Sequence, residues 1–322
     1  MNRARRPGSG GVNRLAWGLV LLVLLLIGVG GLISARGAGM AIPDWPTVFG
    51  HWFLPSPRQP LDVLLNQLHR VLAQLSVVWA MVLATALWRL EGRATVRWLG
   101  TATAAMLLAA GFFGAGRILA QSPAAGQFHA ILALLAFGLC VAMATVTSPR
   151  WLSDEDAWFQ DGARGPWRWC FLACLASYLF AFASLPLRHM SPMAGLHWVP
   201  FWTWSQVSLG LASVVATGLL LLRTGRHLRH HPARWRGIAW FSALLTGQLL
   251  AGGAAWVASF GWPPWFSDHI FPVSYPIVTS GPFQVVAVTV HVILGAATPA
   301  VGVSMVLRAY RSVQPAGGRP AR

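Results

Sequence analysis

Long apolar runs alternate along the chain with short polar interruptions, and the runs fall into one length class. A bilayer span needs about 20 mostly apolar residues. Eight segments meet that length: 16–35, 63–88, 98–120, 124–148, 169–187, 198–222, 237–258 and 283–307. The pattern predicts an all-α membrane protein with eight transmembrane helices. The first run follows Arg3, Arg5, Arg6 and Arg14, as a secretory leader would. It is too long for a signal peptide's apolar core, and no small-x-small site ends it, so it reads as a retained helix.

Composition agrees. Of 322 residues, 56% are hydrophobic and 10% charged, against about 25% charged in soluble domains. All 24 basic residues are arginine. They sit in short clusters between apolar runs rather than along a stripe that would follow nucleic acid. Placing the N-terminus in the cytoplasm puts 19 of the 24 arginines on the inner side, as basic-residue bias requires. Eight spans then bring both termini inside. Arg36, Arg58, Arg70, Arg117 and Arg188 remain at the outer side. Cys140, Cys170 and Cys174 all lie in apolar stretches and read as small buried hydrophobes.

Two stretches look alike: QFHAILALLAFGLCVAMAT (127–145) and TVHVILGAATPAVGVSMVL (289–307). Each opens with a histidine near the outer end of a span. This predicts two pseudo-repeated four-helix bundles, at 16–148 and 169–308. A basic N-terminus (1–15), a connector (149–168) carrying Asp154, Glu155, Asp156 and Asp161, and a tail (309–322) complete the chain. The outer loops 36–62 and 259–282 are long and rich in Pro, Trp and Gly. They suggest a cover over something in the outer half of the bundle.

Of ten histidines, His227, His230 and His231 belong to an Arg-rich inner loop, and His51, His189 and His269 to outer loops. His69, His129, His197 and His291 stand at or just inside the outer ends of even-numbered spans. Ionisable residues inside a membrane are expensive and mark functional sites. Paired imidazoles inside a helical bundle suit axial ligation of haem iron. His69 and His129 would face each other in the first half, and His291 faces the sixth span, where His197 is the available histidine. No span carries the carboxylate that a proton relay would use. A transporter built from two repeats would break helices near the midplane, and Pro299 is the one obvious place.

With these residues in view, GAGMAIPDWPTVFG (37–50) resembles the outer-loop signature of the haem A synthase family. LHR (68–70), QFH (127–129) and TVH (289–291) fall where that family places haem ligands, and GGAAWVASFGWPPWF (252–266) resembles its divergent bacterial branch. The resemblance implies eight spans in a bacterial inner membrane and oxidation of the haem O methyl group to a formyl group for cytochrome oxidase assembly. It implies that His69 and His129 ligate the substrate haem and that His291 serves a haem b in the second half. Arg70 would pair with a haem propionate, as guanidinium suits carboxylate. Besides the lipid bilayer, the implied partners are the enzyme that donates haem O and an electron donor; a homo-oligomer is left open.

The chain departs from the family in three places. Asn66 stands where many members have a glutamate three residues before the first ligand, and an amide cannot exchange a proton as a carboxylate does. The cysteine pair that some members carry around the PDWP loop is missing. His197 lies six residues further from the arginine end of its span than His69 does, about 9 Å along a helix. Counting from that end instead puts Thr203 or Trp204 at the ligand position. Two functions follow: a haem A synthase-type oxidoreductase, or a haem-binding assembly or electron-transfer protein of the same fold.

Overall fold

In the computed structural model, residues 10–52, 54, 56, 58–152, 165–189, 198–228, 232–271 and 277–311 are described here. Among them lie ten helices: α1 Gly10–Ala35, α2 Leu61–Leu90, α3 Ala94–Leu119, α4 Pro123–Val146, the short α5 Pro149–Leu152, α6 Gly165–His189, α7 Val199–Leu228, α8 Pro232–Phe260, the short α9 Pro264–His269 and α10 Pro282–Arg311. Eight of them are long and apolar enough to cross a membrane. Large apolar side chains such as Leu21, Phe112, Leu211, Leu222 and Leu250 point outward, which is stable only where the surroundings are hydrocarbon.

Helix ends at the arginine-poor side fall within two residues of the apolar runs. At the arginine-rich side most helices run two to six residues further; α4 alone stops short, at Val146. Arginine is a good helix former, and its long stem lets the head reach water while the backbone stays helical. Hydropathy therefore ends before the helix does. α10 continues through Pro299 without a break, and the Pro299 carbonyl accepts a weak bond from the Cys174 thiol at 3.6 Å. All three cysteines are buried and unbridged.

Helices α1 to α4 pack in a ring, each against the next and α4 against α1; α6, α7, α8 and α10 do the same. The rings meet where α10 packs against α1 and α4, and α4 against α6. Asn13 donates to the Ala144 carbonyl at 2.8 Å and to Thr147 Oγ1 at 3.1 Å, and Thr145 Oγ1 donates to Ser304 at 3.1 Å. These bonds lock α1, α4 and α10 together in the arginine-rich half. Buried Glu91, beside the α2–α3 turn, takes a two-pronged bond from Arg93, both prongs 2.9 Å.

The tight core of the first ring occupies that same half. It draws on Val12 to Val23 of α1, Ala80 to Leu87 of α2, Val96 and Leu107 of α3, and Ala136 to Val146 of α4. The contrast along α4 is sharp: nearly every residue from Ala136 to Val146 is buried, while Gln127 to Leu135 are all only partly buried or exposed. In the other half of the first ring α4 is less buried, while α1, the start of the loop and α2 form a smaller buried cluster of Val29, Ile33, Ala38, Leu65 and Leu72; the first two candidate histidines lie in this half.

Candidate haem site

Gly37 at the end of α1 takes a positive φ of +67°, which glycine adopts without strain, and turns the chain into the 36–52 loop. Three residues along the first turns of α2 hold this loop. Arg36 Nε donates to Asp62 Oδ1 at 2.5 Å. Asn66 Nδ2 donates to the Ala38 carbonyl at 2.5 Å and to the Asp62 carbonyl at 3.2 Å. Arg70 donates to the carbonyls of Thr47 (2.9 Å), Asp44 (2.8 Å) and Ile42 (3.2 Å). Spacings of four and eight put Asp62, Asn66 and Arg70 on one helix face, and His69 sits beside them.

Asp44, of the PDWP motif, shapes the loop from within. Its carboxylate accepts from Thr47 Oγ1 at 2.5 Å, the Phe49 N–H at 2.8 Å and the Gly50 N–H at 2.9 Å. Partial burial pushes this carboxyl up, but the bonds from Thr47, Gly50 and Phe49 together outweigh it and hold the pKa at about 2. Arg70 and Asn66 therefore have structural work that the sequence did not reveal. The Arg70 head is spent on loop carbonyls, and the Asn66 amide does what a carboxylate cannot: it donates.

Beneath the loop, His69 of α2 and His129 of α4 meet across the diagonal of the first ring, with ring centres 6.2 Å apart and planes at 69°. Each ring rests on a glycine of the preceding helix. A Cβ on Gly30 would come within 3.0 Å of His69, and one on Gly114 within 3.0 Å of His129. His129 Nδ1 lies 2.7 Å from the Ala110 carbonyl. A carbonyl only accepts, so Nδ1 carries the proton and Nε2 keeps its lone pair free for a metal. His69 Nδ1 is buried, and the Leu26 carbonyl, one turn before Gly30 on α1, faces its ring. Both rings stay partly accessible although they face the ring interior.

His291 repeats part of this arrangement in the second ring. Its Nδ1 lies 3.0 Å from the Gln248 carbonyl, and its ring rests on Gly252, one turn further along α8. Ala110 and Gly114 have the same four-residue spacing on α3. The facing residue differs. Gln206 of α7 places its Nε2 3.5 Å from His291 Nε2, and Phe180 packs edge-on to the imidazole at 6.3 Å. His291 is buried.

His197 lies outside the described residues. Thr203 bonds back to the Val199 carbonyl at 2.7 Å, and Trp204 is 69% exposed. A register signal for Gln206 was present: His69 precedes Ser76-Val77-Val78 by seven residues, as Gln206 precedes Ser213-Val214-Val215. Both serines are buried and bond back one turn, to Leu72 and Leu209. His189, expected in a loop, is the last residue of α6, against Gly126 of α4.

A bare metal ion of the zinc type takes three or four protein ligands. Among the described residues no group of three His, Cys, Asp or Glu gathers. Iron in porphyrin needs only one or two, because the macrocycle supplies the rest. Imidazoles on either side of one iron, each nitrogen about 2 Å from the metal, have ring centres about 6 Å apart. The His69–His129 pair fits that spacing, and the Gln206–His291 pair does not offer two imidazoles.

The fold and site define an eight-span helical membrane protein with a histidine pair inside its first ring of helices. Neither a family model nor a curated protein matches this chain.

Proposed function

We propose that the chain is a bacterial inner-membrane haem protein of the haem A synthase type, with both termini cytoplasmic, whose α1–α4 ring holds its substrate haem between His69 and His129. The observation that carries this reading is the 6.2 Å imidazole pair across the diagonal of that ring. We take the two rings to be repeats, because His129 and His291 use the same anchor, a carbonyl and a glycine four residues apart on the preceding helix. The repeat no longer serves two equal sites: Gln206 and Phe180 fill the position opposite His291.

When bound, the haem supplies the oxidisable methyl group and the iron at which redox chemistry is possible. The chain positions and shields it. Ala110 fixes the His129 tautomer so that Nε2 faces inward. Gly30 and Gly114 let the two rings lie against their neighbouring helices. Arg70, Asn66 and Asp44 close the PDWP loop above the pair and limit the entry of water. The reaction this supports is the conversion of haem O to haem A for cytochrome oxidase assembly.

Asn66 favours a second reading. Its two amide bonds leave no carboxylate at the family's usual position, which suits a haem-binding assembly or electron-transfer protein. Extracting haems from membranes that contain the protein and a haem O source decides between them. Haem A supports the oxidase, whereas unchanged haem O bound through His69 and His129 supports the carrier.

A further inference from the structure

Two arginines at the arginine-poor end have no anion to meet. Arg117 lies in the last turn of α3 and Arg188 in the last turn of α6. They are close enough to act on each other electrostatically; Arg117 also reaches His69, His129 and His189, and Arg188 reaches His129 and His291. Arg188 Nε and His189 Nε2 are fully buried without hydrogen bonds. The guanidinium of Arg117 is pressed against the loop: a Cβ on Gly39 would meet its Nη2 at 2.5 Å. A Cβ on Gly126 would meet Arg117 Cδ and His189 Nδ1, each at 3.1 Å.

Among the described residues no carboxylate pairs with either of them. Asp44 is held by Thr47, Phe49 and Gly50, Asp62 by Arg36, and Glu91 by Arg93 at the opposite end; Asp268, on the short α9, is exposed and is not among the charges that act on either arginine. By sequence, residues 53, 55, 57, 190–197 and 272–276 contain no Asp or Glu. Two guanidinium groups packed between helices without a counter-charge carry a large desolvation cost. A ligand that brings negative charge removes it.

We propose that Arg117 and Arg188, under Gly39 and beside Gly126, form a carboxylate-binding site that takes the propionates of the porphyrin held at His69 and His129. The identity of the ligand rests on the haem reading, whereas the uncompensated charge is a property of the chain alone. Arg70, expected from the sequence to serve the propionates, is committed to the loop; the pair at the junction of the two rings takes its place. It lies within reach of histidines in both, so a ligand seated there would register across the junction.

The test uses the full-length protein in detergent with iron-free protoporphyrin IX and its dimethyl ester, read by quenching of tryptophan fluorescence. The free acid should bind the wild-type protein about tenfold or more tightly than the ester, the scale of a charged hydrogen bond. Arg117→Gln and Arg188→Gln should each bring free-acid binding toward the ester value and leave ester binding unchanged. Equal affinities in the wild type, which need no variant, would overturn the proposal; so would variants that weaken both probes alike. Phosphatidylglycerol that co-purifies with the wild type, is lost in both variants and leaves the two probes equal would assign the pair to a lipid phosphate and also overturn it. Iron protoporphyrin is the separate arm. If it binds without a low-spin spectrum while the acid is still preferred to the ester, the histidine reading fails and the carboxylate site stands.

Discussion

Gln206 Nε2 lies 3.5 Å from His291 Nε2, in the place that an imidazole holds opposite His129. An amide donating to that nitrogen occupies the lone pair a metal would need. The wild-type protein should therefore bind one haem per chain, measured as pyridine haemochrome against protein. Gln206→His combined with Phe180→Ala, which opens the layer, should raise the ratio toward two. Two haems in the wild type would contradict the asymmetry.

Asn66 is a donor by structure. Asn66→Asp keeps the shape but sets a carboxylate oxygen against the Ala38 carbonyl, now 2.5 Å from the amide nitrogen. The carbonyl keeps its bond from the Ala41 N–H at 3.1 Å, but losing the amide bond and setting two oxygens together should cost about 1–3 kcal/mol and lower the melting temperature of the detergent-solubilised protein. Asn66→Glu should behave no better, whatever chemistry a carboxylate could add. An unchanged Tm in Asn66→Asp would remove this role.

The Asp44 clasp has a pH limit. Its folded pKa of about 2 lies below the unfolded value of about 3.9. The group therefore stabilises the loop fully above about pH 4, and this contribution is lost as pH falls through that value toward 2. Amide exchange at Phe49 and Gly50, corrected for intrinsic rates, should keep its protection above pH 4 and lose it progressively as pH falls toward 2. Asp44→Ala should remove that protection at every pH, and unaltered exchange in the variant would show that the carboxylate does not hold the turn.

Gly114 and Gly252 support equivalent rings but should respond differently. A methyl at 114 would press His129 from 3.0 Å, and one at 252 would press His291 from 2.9 Å. Gly114→Ala should broaden or abolish the low-spin haem spectrum by turning the ligand ring. Gly252→Ala should destabilise the second ring by about 1–3 kcal/mol, the usual cost of overpacking, with the haem spectrum intact. Loss of the spectrum in Gly252→Ala alone would reverse the assignment of the two halves.

The sequence was most legible where one physical force dominates. Apolar runs predicted all eight long helices, because hydrocarbon tolerates few alternatives to a helix of that length. The arginine-rich ends of α7, α8 and α10 ran past the predictions, since helix geometry persists after hydropathy fades. His69, His129 and His291 could be picked out because an imidazole in an apolar run is rare. That His69 and His129 would face each other was legible as well, but what would face His291 was not. Gln206 is an ordinary polar residue on α7, visible only once Ser213 is set in register with Ser76. The duties of Arg70 and Asn66 depend on how the 36–52 loop folds back over α2, a tertiary contact that no local pattern encodes. Arg117 and Arg188 are 71 residues apart in the chain, and only the packing of α4 between α3 and α6 brings them together.

The most direct test of the histidine pair is the absorption and electron paramagnetic resonance spectrum of the purified protein loaded with haem. The account predicts a low-spin, bis-imidazole signal that turns high-spin in His69→Ala and in His129→Ala and is retained in His291→Ala. A folded protein that stays colourless when offered haem, or a low-spin signal that survives both His69→Ala and His129→Ala, would contradict it.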